Sequence, residues 1–191
     1  MENIKILKNI PLDVLTKFTT IYNSKFKGRK PQDKWTDSHA ASALEVEDIK
    51  MLNNFLPIPA RGIEIYYMTG MVNPHIDRGR KTALQIPIEI DHKKSFIFSV
   101  CNNDLSKLSP VNVDFTPRKV SKNSDIVNNP PNWFYKWEEP FFDKYSLEFP
   151  VLQNVSLPHG GANYSERYGI FFSLAYKTDY EEVCSKFRSW V

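Results

Sequence analysis

A mainly β domain preceded by helices is what this sequence predicts, and three observations carry that expectation. From Gly62 the hydrophobic period is two, with Ile63, Ile65 and Tyr67 alternating against Glu64, Tyr66 and Met68. Four further apolar runs, over residues 83–90, 95–100, 151–157 and 169–176, read as strands. Ahead of these lie two stretches of helical period, and no repeat or low-complexity segment interrupts the chain.

In order, residues 4–10 are apolar enough for a short strand, which Pro11 ends. Val14, Leu15, Phe18, Ile21 and Tyr22 then share one helical face, with Asp13 placed to cap it. A second helix is expected over 38–55, where Leu44, Ile49, Leu52 and Phe55 are apolar, and Pro57 stops it. Residues 91–94 form a tight polar connection suited to a hairpin between the runs on either side. Residues 102–148 are the least regular part, rich in Asn, Ser, Pro and aromatics. Trp133, Phe134 and Trp137 are expected to pack this insert onto the core, and its length suits a lid. The expected organisation is one domain over 1–191, with helical support in 1–60 and a β core over 61–178 that carries the insert.

The composition, 41% hydrophobic and 25% charged, is that of an ordinary globular protein and excludes a fibrous or disordered chain. A net charge of +3, spread along the chain, gives no indication of a polyanion partner, although nucleic acid stays open as a substrate. The one dense basic stretch, residues 25–30, reads as a solvated turn after the first helix. The two cysteines, Cys101 and Cys184, lack metal-ligand spacing and are expected to be reduced thiols. No apolar run reaches the roughly 18 residues of a membrane span, and the opening Met-Glu-Asn-Ile-Lys has no signal-peptide core. A cytoplasmic location without a membrane partner is the expectation.

The chemistry concentrates in Asn73-Pro74-His75-Ile76-Asp77. In an extended segment His75 and Asp77 share a face, and an imidazole with a carboxylate supplies two ligands of a facial triad that leaves coordination positions open. Of the other histidines, His39 falls in the helical region and His92 in a polar turn beside Lys93 and Lys94. His159 closes a strand at Leu157-Pro158-His159-Gly160 and is the choice for the third ligand. Arg167 follows, where its guanidinium can grip a carboxylate through paired hydrogen bonds. Arg78 and Arg80 flank the motif and are placed either to meet an anionic substrate or to be solvated. Gln85 either faces the interior, towards substrate, or faces solvent. Asn154, if buried, needs a partner such as a metal ligand.

These motifs resemble the 2-oxoglutarate and Fe(II)-dependent oxygenases, especially short stand-alone members. The resemblance lies in Tyr67-Met68-Thr69-Gly70, Pro74-His75-Ile76-Asp77-Arg78, Ala83-Leu84-Gln85-Ile86-Pro87-Ile88, Pro150-Val151-Leu152-Gln153-Asn154, Pro158-His159-Gly160-Gly161-Ala162-Asn163 and Arg167. It spans 62–100 and 148–176, under half of the chain. The resemblance implies a double-stranded β-helix, a cupin-like jelly roll with the metal at its mouth. It implies Fe(II) on His75, Asp77 and His159, and the distal carboxylate of 2-oxoglutarate on Arg167. Many relatives carry a hydroxyl residue two positions after that arginine; Gly169 stands there, so Tyr67, or less suitably Tyr168, is expected to lend the second hydrogen bond. The implied reaction is oxidation by dioxygen of an organic substrate that the sequence does not identify, with 2-oxoglutarate decarboxylated to succinate. Asp77 argues for hydroxylation, because halogenating relatives lose this carboxylate. The alternatives are a cupin-like metal enzyme that does not use 2-oxoglutarate, and a jelly-roll binding module without catalysis.

Overall fold

The computed structural model describes residues 3–36, 38–77, 79–101, 105–111 and 134–191. The first strand, β1 (Ile4–Ile6), leads through Pro11 into helix α1 (Leu12–Ile21), which ends in a single π turn. Strands β2 (Asp33–Thr36) and β3 (His39–Ala43) precede helix α2 (Val46–Asn53). Then come β4 (Gly62–Met68), β5 (Gly70–His75), β6 (Thr82–Glu89) and β7 (Ser95–Val100). Two short strands, β8 (Pro110–Val111) and β9 (Phe134–Tyr135), are followed by β10 (Phe142–Ser146), β11 (Val151–Asn154), β12 (His159–Asn163) and β13 (Gly169–Tyr176). Helix α3 (Tyr180–Lys186) follows. Among the described residues no helix is long and apolar enough to cross a membrane.

The strands form two antiparallel sheets, one ordered β1-β11-β6-β13-β4-β3-β2 and the other β10-β7-β12-β5-β9-β8. The larger sheet is covered on both faces. Ile63, Ile65 and Tyr67 of β4 and Ile170, Phe172, Leu174 and Tyr176 of β13 pack with the helices. Tyr66, Met68 and Phe171 turn the other way, towards Ile97 of the smaller sheet. Burial on both sides explains why β13 is nearly continuous in apolar residues where an exposed sheet would alternate. Phe18 of α1 stands on this sheet with its ring 5.0 Å from that of Phe172. The outer face of the smaller sheet is aromatic: Trp137 stacks on Phe142 at 5.0 Å and lies 4.2 Å from Phe98. Phe134 and Trp137 of the insert therefore do pack on the core; Trp133 and the rest of 112–133 lie outside the described residues.

Four sequence expectations differ from what is observed. Residues 38–55 are not one helix, because β3 joins the sheet beside β4 before α2 begins; Ala40, Ala41 and Ser42 fill a two-sided strand that helical periodicity cannot reveal. The support in 1–60 is thus partly β. Residues 91–94 do form a tight turn, but β6 and β7 lie in different sheets, so the turn is a crossover and not a hairpin. Asp13 does not cap α1, whose N-cap is Pro11 without a side-chain bond.

Two glycines mark close approaches. Gly70, at φ +64, makes the turn from β4 into β5 in a backbone region that side chains disfavour. At Gly160 an added Cβ would lie 2.5 Å from the Phe98 ring and 2.7 Å from the Val72 carbonyl oxygen, whereas nothing lies within 4 Å of one at Gly62. We expect Gly160→Ala to cost about 1–3 kcal/mol through overpacking, and Gly62→Ala markedly less. Denaturant unfolding of the two variants checks this; equal losses would mean that the Phe98 contact is not limiting.

Candidate functional site

The pairing of β12 with β5 sets His159 directly opposite His75, a position that brings side chains on one face together. The register shifts between His159 and Gly161, and the two imidazole centroids lie 4.5 Å apart. Asp77 arrives from the loop after β5. Its N–H donates to the Val155 carbonyl at 3.0 Å, and the Val155 N–H donates to the Lys81 carbonyl at 3.0 Å, so the end of β11 holds both sides of the loop. Two details differ from the sequence reading. His75 ends a strand and Asp77 lies beyond it, while His159 opens a strand instead of closing one. The convergence comes from the loop's anchorage and not from a shared strand face.

The ligand-type atoms of His75, Asp77 and His159 all lie within 4.8 Å of one another. Asp77 Oδ1 is 3.7 Å from His75 Nε2, and Asp77 Oδ2 is 3.5 Å from His159 Nε2. The Nδ1 atoms stand 2.8 Å from the Asn73 carbonyl and 2.9 Å from the Leu157 carbonyl. A carbonyl can only accept, so each Nδ1 carries the proton and each Nε2 turns a lone pair towards the cluster. Three donors in this arrangement could hold one metal ion.

Burial lowers the His75 pKa to about 4, helped by His159 and opposed by Asp77, so the ring is neutral near pH 7. Burial alone would raise the Asp77 pKa, but Arg80 and the two imidazoles outweigh it and hold the carboxyl well below the usual range. Arg80 is itself only 7% exposed. Its Nε donates to Asp77 Oδ2, its Nη1 donates to Ser173 Oγ at 2.8 Å, and its Cζ lies 5.5 Å from the centre of the Tyr66 ring.

Below the cluster a cavity of about 30 Å³ runs between the sheets, lined by Tyr66, Met68, Arg80, Gln85 and Gln153 together with both histidines. A space this size holds a water or two. Gln85 Oε1 and Ser99 Oγ are buried and without a hydrogen-bond partner among the described residues. Gln153 instead donates to the Phe98 carbonyl at 2.9 Å.

Gln85 thus faces the interior, and Arg80 is buried, not solvated. Arg78 lies outside the described residues. Arg167 is exposed in the bend between β12 and β13, beside Glu89, Asp91 and Lys94, and is not among the residues lining the cavity. Tyr67 points to the helices and only Tyr66 reaches the interior, because strand alternation puts neighbours on opposite faces. Tyr168 is exposed with its ring edge against Tyr67. Asn154 accepts from Ser156 in a turn and touches neither histidine. Sequence reading missed Gln153, which stands beside Asn154 at the end of an apolar strand, and Ser173, a lone polar residue in an apolar strand, which was the available signal. It also missed Phe134 as a neighbour of His75, with ring centroids 5.7 Å apart.

No family model matches the chain, and no curated protein is similar to it in sequence. Among solved structures, SnoN, a non-heme alpha ketoglutarate dependent epimerase from nogalamycin biosynthesis, is similar over 90% of this chain and 77% of its own, at TM-score 0.54 and 8% identity. The fold is a jelly roll. HygX from Streptomyces hygroscopicus, solved with nickel, 2-oxoglutarate and hygromycin B, is similar over 93% of this chain and 85% of its own, at TM-score 0.44 and 8% identity. AviO1 from Streptomyces viridochromogenes Tue57 has TM-score 0.40 and 12% identity over 91% of this chain and 90% of its own. At 8% identity the likeness to SnoN is one of fold.

The His75 shift makes metal-free stability depend on pH. The unfolded ring protonates near 6.5 and the folded ring only near 4, so the contribution is complete above 6.5 and declines as pH falls to about 4. We expect wild type to lose up to about 3 kcal/mol more than His75→Asn over that interval. Denaturant unfolding in chelator at both ends measures the difference; parallel losses would show that His75 is not the buried titrating group.

Proposed function

We propose that the protein is a metal- and 2-oxoglutarate-dependent oxygenase whose metal, Fe(II), is held by His75, Asp77 and His159. The observation that carries this reading is the convergence of two oriented imidazole nitrogens and one ionised carboxylate at the mouth of a jelly roll. The donors fit such an ion: cis ligands at bonds of about 2.0–2.2 Å lie about 3 Å apart, close to the Asp77 separations. Gln85 Oε1, which lines the adjoining cavity, has no hydrogen-bond partner among the described residues, so a polar guest in that space would satisfy it. The fold it shares with SnoN is consistent with this.

With 2-oxoglutarate, the ion would activate dioxygen to oxidise an organic substrate, yielding succinate and carbon dioxide. The chain's own residues prepare that site. The backbone carbonyls of Asn73 and Leu157 fix the tautomers of the histidines, and Arg80 keeps Asp77 ionised and oriented. Phe134 packs beside His75, with ring centroids 5.7 Å apart, and covers one side of that ligand.

Anaerobic titration with Fe(II) and 2-oxoglutarate, followed by succinate measurement on admitting air, tests the assignment. His75→Ala and His159→Ala should each abolish iron-dependent succinate formation, at least about a hundredfold, while cooperative unfolding persists. Iron-independent succinate release, or no iron binding by wild type, would remove the reading. Iron binding without any 2-oxo acid chelation would favour a cupin-like metal enzyme that dispenses with 2-oxoglutarate.

A further inference from the structure

We infer that Arg80 is the built-in counter-charge of the metal cluster, a positioning residue that keeps the metal-free protein folded and at the same time lowers its affinity for the ion. The inference rests on the assignment of a divalent ion to His75, Asp77 and His159, and concerns how that site is filled. In the cluster four acceptors face one another: Nε2 of each histidine, whose Nδ1 holds the proton, and the two Asp77 oxygens at 3.7 and 3.5 Å from them. Such a group calls for a cation. Arg80 supplies one, because its Nε donates to Asp77 Oδ2, and it is the one arginine or lysine among the described residues lining the adjoining cavity.

The guanidinium is fixed on three sides and stays in place when an ion arrives. It is 7% exposed, its Nη1 donates to Ser173 Oγ at 2.8 Å, and its Cζ lies 5.5 Å from the centre of the Tyr66 ring. A bound divalent ion and Arg80 then share one carboxylate as like charges, a repulsion worth more than tenfold in affinity even at an effective dielectric constant of about 20. Asp77 and half-buried Glu64, which accepts from the Tyr66 hydroxyl, would together balance a divalent ion, and Arg80 leaves one positive charge over. Loss of a group that merely aims a ligand acts the other way, weakening metal binding by about 10–100-fold. Here the charge outweighs the aim, because the backbone also holds the loop: the Asp77 N–H donates to the Val155 carbonyl and the Val155 N–H to the Lys81 carbonyl, each at 3.0 Å. In the metal-free protein the balance reverses. Without Arg80, the Asp77 side chain, only 15% exposed, would keep its charge with no described cation beside it.

The test titrates Co(II), read by its visible absorption bands, into the metal-stripped full chain, and follows thermal unfolding without and with the ion. Arg80→Gln should bind Co(II) at least about tenfold more tightly than wild type, while its metal-free unfolding midpoint falls by about 6–20 °C. Arg80→Lys, which keeps the charge and loses the planar fork, should bind Co(II) within about threefold of wild type. Equal or weaker binding by Arg80→Gln overturns the inference, and so does weakening beyond that range in Arg80→Lys, since either marks a role in aiming Asp77 alone. An unchanged metal-free midpoint in Arg80→Gln overturns it as well. If Arg80→Gln folds only with Co(II) present, the ion is replacing the lost charge and the inference stands; if it folds in neither condition, the Arg80→Lys affinity decides. Co(II) binding that is absent from wild type, or that survives unchanged in His75→Ala, would instead remove the metal assignment itself.

Discussion

The pairing of β5 with β12 places His75 across from His159, and most of the molecule's organisation serves that register. The two strands can lie this close at their shared end because Gly160 leaves room for the Phe98 ring and the Val72 carbonyl. Phe98 in turn is held against Trp137 and Phe142 on the outer face. The aromatic layer outside the smaller sheet thus braces the imidazoles inside it, and a one-residue slip of β12 would turn its whole set of side chains to the wrong face.

The interior next to the histidines is polar in a way that a stability-driven core would avoid. Arg80, Asp77, Ser173, Gln85, Gln153 and Ser99 are drawn from both sheets and the loop between them. A buried ion pair costs desolvation that its attraction repays only with good geometry and further hydrogen bonds. Here Ser173 supplies one such bond, while the Gln85 and Ser99 oxygens stay unmatched. The Tyr67 and Tyr176 hydroxyls, on the helix side of the larger sheet, are likewise buried without a partner among the described residues. The apolar support is placed elsewhere, in the large cluster between the seven-stranded sheet and the helices.

Strands with apolar residues on both faces were the most legible: 169–176 agrees with β13 at both ends, and the strand read from Gly62 starts where β4 does. β3 was not legible, since His39-Ala-Ala-Ser-Ala43 carries small residues whose strand state is enforced by pairing with β4 and not by local preference. The turn at 91–94 was recognisable as a turn, yet nothing local distinguishes a link within one sheet from a link between two. At the site, His75, Asp77 and His159 were identifiable from residue type and context. The exposure of Arg167 was not legible, because spacing from His159 says nothing about whether the chain bends outward before the next strand begins.

By itself, then, the sequence determined a mainly β chain with flanking helices and marked the three side chains that converge, because hydrophobic period and residue chemistry are local properties. Which arginine enters the interior was decided only by tertiary structure. Arg80 follows a loop fastened to Val155 and points inward to Asp77 and Ser173, while Arg167 occupies a bend that faces water. Both carry the same charge and both neighbour a motif histidine in sequence. The difference between them is set by long-range strand pairing, whose partners lie far apart along the chain and leave no trace in the residues on either side.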